Sequence, residues 1–325
     1  MRRCEAVVLV ALVSGCGGTV NGRTDLPPDG GPADAIAPIV TAEQACARYS
    51  DVYCLLLQAC EPIVIRIYFG TLDRCRSHYT SVCPAMFLLQ GTTMTPDRQM
   101  ACANGLEATT CEQLALRAPT PAVCESDGEL TSHEACGSTW QCAEGCCTQK
   151  QVGELCGVCT PQGPEGASCT KSGGCQPYLL CTEAGLCVSP GQLAASCDPD
   201  HPCRRDLACF NNTCAPLGQP GEPCGPDNTC DSNVGLYCDP WKTICRTFEY
   251  AAPGEPCGML QGQDGLYTIC TAGSDCEFDS GLTGSCKGPL KPGAPCDPET
   301  PLPACELPTF CVGGVCQIPH PETCK

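Results

Sequence analysis

Aromatic side chains are scarce in this sequence: Phe, Trp and Tyr make up 5% of the chain, too few to stabilise one large apolar core. Basic residues are also few, 18 Lys and Arg against 36 Asp and Glu. Without clustered cations a chain cannot neutralise phosphates, so nucleic acid is excluded as a partner and an anionic membrane surface repels it. Histidine occurs only at positions 78, 133, 201 and 320, in four separate segments. Such isolated histidines are expected to be solvated loop side chains and not a metal or catalytic cluster. The motifs GxSxG, HExxH, GxGxxG and GxxxxGK[ST] are missing as well. The chain is therefore not read as an enzyme, and no catalytic residue is assigned. No segment has the length and apolarity of a membrane-spanning helix.

What the sequence has in abundance is cysteine, 37 in 325 residues, together with 35 Gly and 31 Pro. That density marks a disulfide scaffold or a metal-thiolate protein. Metal-storage chains use dense CxC pairs and almost no aromatics, whereas this chain has no CxC and carries Trp140 and Trp241. Oxidised cystines are the stronger reading, and no metal site is assigned. Several small modules are expected, each held by bridges that contribute roughly 2–4 kcal/mol apiece.

The N-terminus indicates where oxidation takes place. Arg2 and Arg3 precede a short apolar run, Ala6 to Val13, followed by small residues Ser14 and Gly15. This is the pattern of a signal peptide over residues 1–15. VSGC at 13–16 resembles the lipobox of bacterial lipoproteins. The resemblance implies that Cys16 is acylated and becomes the first mature residue, with Gly17 favouring the outer membrane. The lipid would be the membrane attachment, and residues 16–40, rich in Gly, Pro and Asp, read as a tether.

Residues 41–124 hold eight cysteines and helical periodicity. Thr41 and Gln44 fit a capping box, and Ala45, Tyr49, Val52, Tyr53, Leu56, Leu57 and Cys60 recur at helical spacing. A second helix carries Leu72, Cys75, Tyr79, Val82 and Cys83; Thr95-Pro96 is a start signal, Asn104-Gly105 a stop, and Thr110 with Gln113 a second capping box. The apolar faces read as the core of a small disulfide-linked α-helical domain, not as a ligand groove.

Residues 136–159 carry Cys136, Cys142, Cys146, Cys147, Cys156 and Cys159, spaced C-x5-C-x3-CC-x8-C-x2-C. Six cysteines allow 15 pairings, and spacing alone does not choose among them. The adjacent central pair resembles the inhibitor cystine knot. That resemblance implies bridges Cys136–Cys147, Cys142–Cys156 and Cys146–Cys159.

From 160 to 325 a four-cysteine unit recurs five times, beginning at Cys169, Cys197, Cys224, Cys257 and Cys296. The first cysteine follows a Pro-Gly turn in PGEPC (220–224), PGEPC (253–257) and PGAPC (292–296). The third and fourth flank hairpin-like pieces such as CFNNTC (209–214) and CVGGVC (311–316), whose Asn and Gly residues accept positive φ. The fold class is thus small disulfide-rich modules, short β-hairpins and loops, preceded by the helical domain. Over 136–324 these units resemble Dickkopf N-terminal-type and EB-like cysteine-rich modules, and more loosely EGF-like ones. The whole resembles the cysteine-rich lipoproteins of myxobacteria. The resemblance implies an extracellular interaction or spacer role.

Residues 125–325 hold 25 Asp and Glu against 9 Lys and Arg, so this region carries most of the formal charge of −18. Asp198 with Asp200, and Asp231 with Asn233, have the alternation of calcium loops, but neither continues to a terminal Glu; they read as solvated loop surface in preference to calcium sites, and no cofactor is assigned. Two functions stay open. One is a lipid-anchored cell-surface protein whose modules bind, adhere or act as spacers, with an extracellular protein or surface ligand as partner. The other is an exterior protease inhibitor acting through 136–159, with Lys150 in Thr148 to Leu155 as the reactive loop. Removing Cys4 with the signal and Cys16 to lipid leaves an odd number of cysteines, and local grouping leaves Cys324 over as a free or intermolecular thiol.

Overall fold

A computed structural model describes residues 40–115, 121–124, 128–148, 156–169, 174–176, 178–225, 230–260, 266–297, 305–307, 309–318 and 324. It is a cysteine-rich assembly of small β-hairpin sheets preceded by a short helical region. Cys4, Cys16 and the tether to Ile39 lie outside the described residues.

The helical region begins with α1 (Ala42–Cys60), where the Thr41 hydroxyl accepts from the Gln44 amide and Gln44 Oε1 accepts from the Thr41 amide. This reciprocal cap satisfies two donors that a helix start otherwise leaves without partners. A turn, α2 (Pro62–Val64), runs directly into a π-helical segment, Ile65–Phe69, which Gly70 ends at φ 76°. Then come α3 (Leu72–Met86), α4 (Pro96–Leu106) and α5 (Cys111–Ala115). Thr71 and Thr95 cap α3 and α4, and Thr110 with Gln113 repeats the reciprocal cap at α5. Thr41, Thr95 and Thr110 are threonines that the sequence marks as helix starts; Thr71, which caps α3, is not among them.

Helix α1 packs against both α3 and α4. Bridges Cys46–Cys83 and Cys54–Cys75 tie it to α3, Cys60–Cys111 ties it to α5, and Cys102–Cys124 fastens the end of the region to α4. Tyr53, Cys54, Leu57, Ile65, Phe69 and Cys75 form one buried cluster, with Tyr49 and Tyr79 packed against it. The Tyr53 and Tyr79 rings meet edge to face at 5.0 Å between centroids. The apolar faces are core, as expected from their spacing.

Among the described residues of the cysteine-rich remainder one disulfide-linked unit occurs six times. In each unit the first cysteine bonds the third and the second bonds the fourth. The second-to-fourth bridges are Cys142–Cys159, Cys175–Cys187, Cys203–Cys214, Cys230–Cys245, Cys270–Cys286 and Cys305–Cys316, all with Cα atoms 5.5 Å apart. We number the units 1 to 6 along the chain.

The backbone repeats as faithfully as the sulfurs. A residue upstream of the first cysteine pairs in parallel with the second: Leu130 with Cys142, Gly163 with Cys175, Gly191 with Cys203, Gly218 with Cys230, Ala251 with Cys270, Leu290 with Cys305. The residue before the first cysteine pairs antiparallel with the one before the fourth, as in Ala135 with Val158 and Ser196 with Thr213. The third and fourth cysteines face each other across a hairpin, as in Cys147 with Cys159 and Cys209 with Cys214. These bridges leave little room for side-chain cores, and the buried clusters of units 3 to 5 consist largely of cystine sulfur.

Three residues before each first cysteine the chain turns at positive φ, and that residue donates its amide to the carbonyl of the fourth cysteine. The six are His133, Gly166, Ala194, Gly221, Gly254 and Gly293. A glycine adopts this conformation freely, while a residue with Cβ is strained there by about 1–2 kcal/mol. In unit 4 the turn is Gln219 to Glu222, and Glu222 Oε2 accepts from the Gln219 amide at 2.7 Å. The PGEPC sequence is therefore a turn with its own cap: proline sets φ, glycine takes the left-handed position, and glutamate satisfies the turn's first amide.

Gly221 sits at φ 84° with nothing within 4 Å of a built Cβ, so its replacement is purely conformational. In equilibrium unfolding of the oxidised protein, Gly221→Ala should lower stability by about 1 kcal/mol. Ala194→Gly, at φ 65°, should be neutral or stabilising. Equal losses for both would show that φ does not control these turns.

Candidate functional site: hairpin tips and the closing disulfide

The cystine framework corrects two expectations. Residues 136–159 are not joined as a knot. The pair Cys136–Cys147 forms, but Cys142 bonds Cys159, and Cys156 bonds Cys324. The segment is the first of the six repeat units, disguised by two additional cysteines, Cys146 and Cys156. Cys146 is itself disulfide-bonded, but not to Cys159, whose partner is Cys142. Its side chain also accepts from Gln162 Nε2 at 3.3 Å. Cys324 is accordingly not a free or intermolecular thiol. Its bridge to Cys156 spans 168 residues and joins the end of the chain to unit 1. Local grouping fails here because it treats 136–159 as a closed set, whereas two of its cysteines stand outside the repeat pattern.

Lys150 and the loop 149–155 lie outside the described residues. The calcium-like pairs have local employment. Asp198 Oδ1 accepts from the amides of Asp200 and His201 and meets His201 Nδ1 at 2.9 Å; these bonds hold its carboxyl below the usual range. Asp231 Oδ1 caps a single helical turn by accepting from Asn233 N at 3.1 Å. The alternation of acidic residues is the sequence trace of two turns.

The most distinctive surface lies at the hairpins between third and fourth cysteines. Leu186, Phe210, Trp241, Phe278, Leu282 and Val315 stand on five of them, 39% to 63% exposed, while the cystines beneath are buried or half-buried. Their carriers are rigid. Phe210 precedes Asn211 (φ 49°) and Asn212 (φ 57°), and Val315 follows Gly313 (φ 60°) and Gly314 (φ 82°), both two-residue turns with positive φ twice over.

Trp241 is held by a buried acid. Asp239, 0% exposed, accepts from the amides of Trp241 (2.9 Å) and Lys242 (3.1 Å) and pairs with Arg246 (2.9 Å). Burial alone would raise this carboxyl, but Arg246 and the two amides outweigh it and hold it below its ordinary value. Sequence reading marked the turns but not the side chains on them, since an isolated apolar residue in a loop carries no periodic signal.

The helical region is the place where units meet. The Gln90 carbonyl accepts from Gln141 Nε2 and the Gly91 carbonyl from the Glu129 amide, both near unit 1. Arg204 of unit 3 reaches Glu112 at 2.9 Å. Arg66 lies 4.7 Å over the Tyr250 ring, and the carbonyls of Arg66 and Ile67 accept from the amides of Ala272 and Gly273 in unit 5. In unit 6 Glu306 pairs with both Arg74 and Lys291, and Leu307 packs on the helical core. Disulfides this extensive place the folded chain in an oxidising, extracytoplasmic setting.

His78 departs from the solvated role expected of it. It lies in α3, 5% exposed, beside Phe69 and Tyr79, and its Nδ1 has no hydrogen-bond partner. Burial lowers its pKa to about 4. The unfolded chain, with an ordinary imidazole, then binds more protons than the folded one as pH falls below about 6.5, so stability declines from there through pH 4. The loss should total on the order of 3 kcal/mol. Denaturant unfolding at pH 7 and pH 4 should show that His78→Phe reduces this difference, and an unchanged pH dependence would remove His78 as its source.

Set against known proteins, the chain matches no protein-family model, no curated protein and no solved structure.

Proposed function

We propose that this chain is a lipid-anchored cell-surface protein, acylated at Cys16, that offers rigid hairpin tips to an extracellular protein or surface ligand and performs no catalysis itself. The anchor follows from the lipobox-like VSGC at 13–16 and the tether behind it. The outer membrane is its expected site, and the Dickkopf-like and EB-like character of the units suits an interaction role.

The observation that carries the binding reading is the placement of large apolar side chains. The sequence has only 2 Trp and 6 Phe, and a chain short of such residues would be expected to bury them. Instead Trp241, Phe210 and Phe278 stand outside, each on a hairpin fixed by two cystines. Aromatic anchors on pre-ordered loops are the usual source of interface energy, because little entropy is lost when they dock. A pure spacer has no use for them. The inhibitor alternative rested on a distinct knot at 136–159, and with that segment sharing the repeat connectivity it gains no observation of its own.

Two measurements test the proposal. Cys16→Ser should abolish labelling by a palmitate analogue and move the protein out of the membrane fraction; a labelled variant overturns the anchor. Cross-linked capture from intact cells should fall by ~10-fold or more per truncated anchor in Phe210→Ser, Trp241→Ser and Phe278→Ser. Undiminished capture by the triple variant, with its disulfides intact, overturns the tips as the binding surface.

A further inference from the structure

The strand that carries each third cysteine lies at the border of its sheet. In unit 1 it is the outer strand Cys146–Thr148, and in units 2, 3, 4 and 6 it is one side of a two-stranded hairpin. These five strands are two to four residues long. Unit 5 differs, because its third-cysteine strand, Asp275–Ser280, has six residues and borders a five-stranded sheet.

Which backbone groups face outward follows from the pairing. Cys286 spends its amide on the Glu255 carbonyl and its carbonyl on the Gly254 amide, so it offers neither to Cys276, which stands opposite it in the hairpin. Cys276 and, two residues on, Phe278 therefore aim their N–H and C=O groups away from the sheet. None of these groups has a hydrogen-bond partner among the described residues. The strand is also held in place before anything binds. Cys276 is bonded to Cys257, and the Phe278 ring lies across Gly258, where an added Cβ would come within 3.0 Å of it. Phe278 is nonetheless 49% exposed.

We infer that the strand Asp275–Ser280 binds an extended segment of a partner protein, alternately basic and apolar, as an added β-strand; this rests on the reading of the chain as a binding protein and names the partner's chemistry. The charges select that chemistry. Side chains alternate along a strand, so Asp275 and Glu277 share a face with Lys287, which stands opposite Asp275 and pairs with Glu277 at 2.7 Å. Asp279, where the register shifts, acts on the same lysine, whose pKa is raised first by Glu277 and then by Asp279. Three acids around one cation leave this face negative. An incoming strand meets it with every second side chain, where Lys or Arg fits, and lays the intervening apolar ones beside Phe278.

A second copy of this chain is disfavoured by the same charges. Two such strands paired antiparallel would set acid against acid, on molecules of formal charge −18. The acids thus guard the edge against itself and leave it open to the opposite sign.

The test uses the full oxidised chain and synthetic peptides of about ten residues, long enough for one strand. One alternates Lys and Val, a second has the same sequence with every amide N-methylated, and a third alternates Glu and Val. The plain Lys–Val peptide should bind and slow hydrogen exchange at the Cys276 and Phe278 amides by ~10-fold or more, leaving the Glu277 amide, already within the ladder, unchanged. The N-methylated peptide keeps the charge but cannot donate to an edge, and it should bind ~10-fold or more weakly. The double variant Glu277→Lys with Lys287→Glu keeps the ion pair and reverses the sign on the edge strand; it should weaken the plain peptide by ~3-fold or more. Equal binding of the two Lys–Val peptides would reduce the effect to attraction by an acidic surface and overturn the inference, as would equal binding of the Glu–Val peptide. Protection of Cys276 and Phe278 that rises with protein concentration alone would make a second copy the occupant and overturn it too. If the Lys–Val peptide does not bind while capture from intact cells still depends on Phe210 and Trp241, this edge fails and the binding reading stands; undiminished capture by the triple tip variant is the separate result that removes the binding reading.

Discussion

Two disulfides per unit, from first to third and from second to fourth cysteine, are the constraint on which the rest of this molecule stands. A stretch of some thirty residues cannot offset its conformational entropy with the few apolar side chains available here. Cross-linking lowers the entropy of the unfolded chain instead, by roughly 2–4 kcal/mol per bridge, and leaves the folded unit needing only a handful of backbone hydrogen bonds. Those bonds all sit at fixed offsets from the cysteines. Length is therefore free to vary only between them. Unit 5 carries its insertion between Cys257 and Cys270, and unit 1 between Cys147 and Cys159, without disturbing the pairing on either side.

Much of this was legible in the sequence, and the parts that were share a property: their cause is local. Thr41 with Gln44 and Thr110 with Gln113 are reciprocal caps within a few residues of each other. The Pro-Gly turns and the Asn-Asn and Gly-Gly hairpins announce positive φ by composition. Unit 1 escaped detection for a local reason too. Cys146 beside Cys147 and Cys156 before Cys159 break the four-cysteine rhythm, and the turn carries His133 where sister units have glycine or alanine.

Cys324 and His78 were misread because their surroundings come from far along the chain. No short-range rule selects a partner 168 residues away. His78 is buried by the packing of α3 against Phe69 and Tyr79, which composition does not announce. The same holds for the contacts of Arg66, Arg74 and Glu112 with later units: each looks like an ordinary charged residue on a helix until the topology brings its partner.

Closure through Cys324 has a consequence for how the chain matures. A polypeptide that crosses a membrane N-terminus first presents its helical region early, and each unit then completes its two cystines from residues that arrive close together. Cys156 does not have that convenience. Its partner emerges only after all five remaining units have passed, while Cys146, Cys147 and Cys159 stand within ten residues of it as nearer, wrong choices. The native linkage therefore requires that Cys156 stay reduced until Cys324 is available, or that an earlier mispaired bridge be exchanged for it.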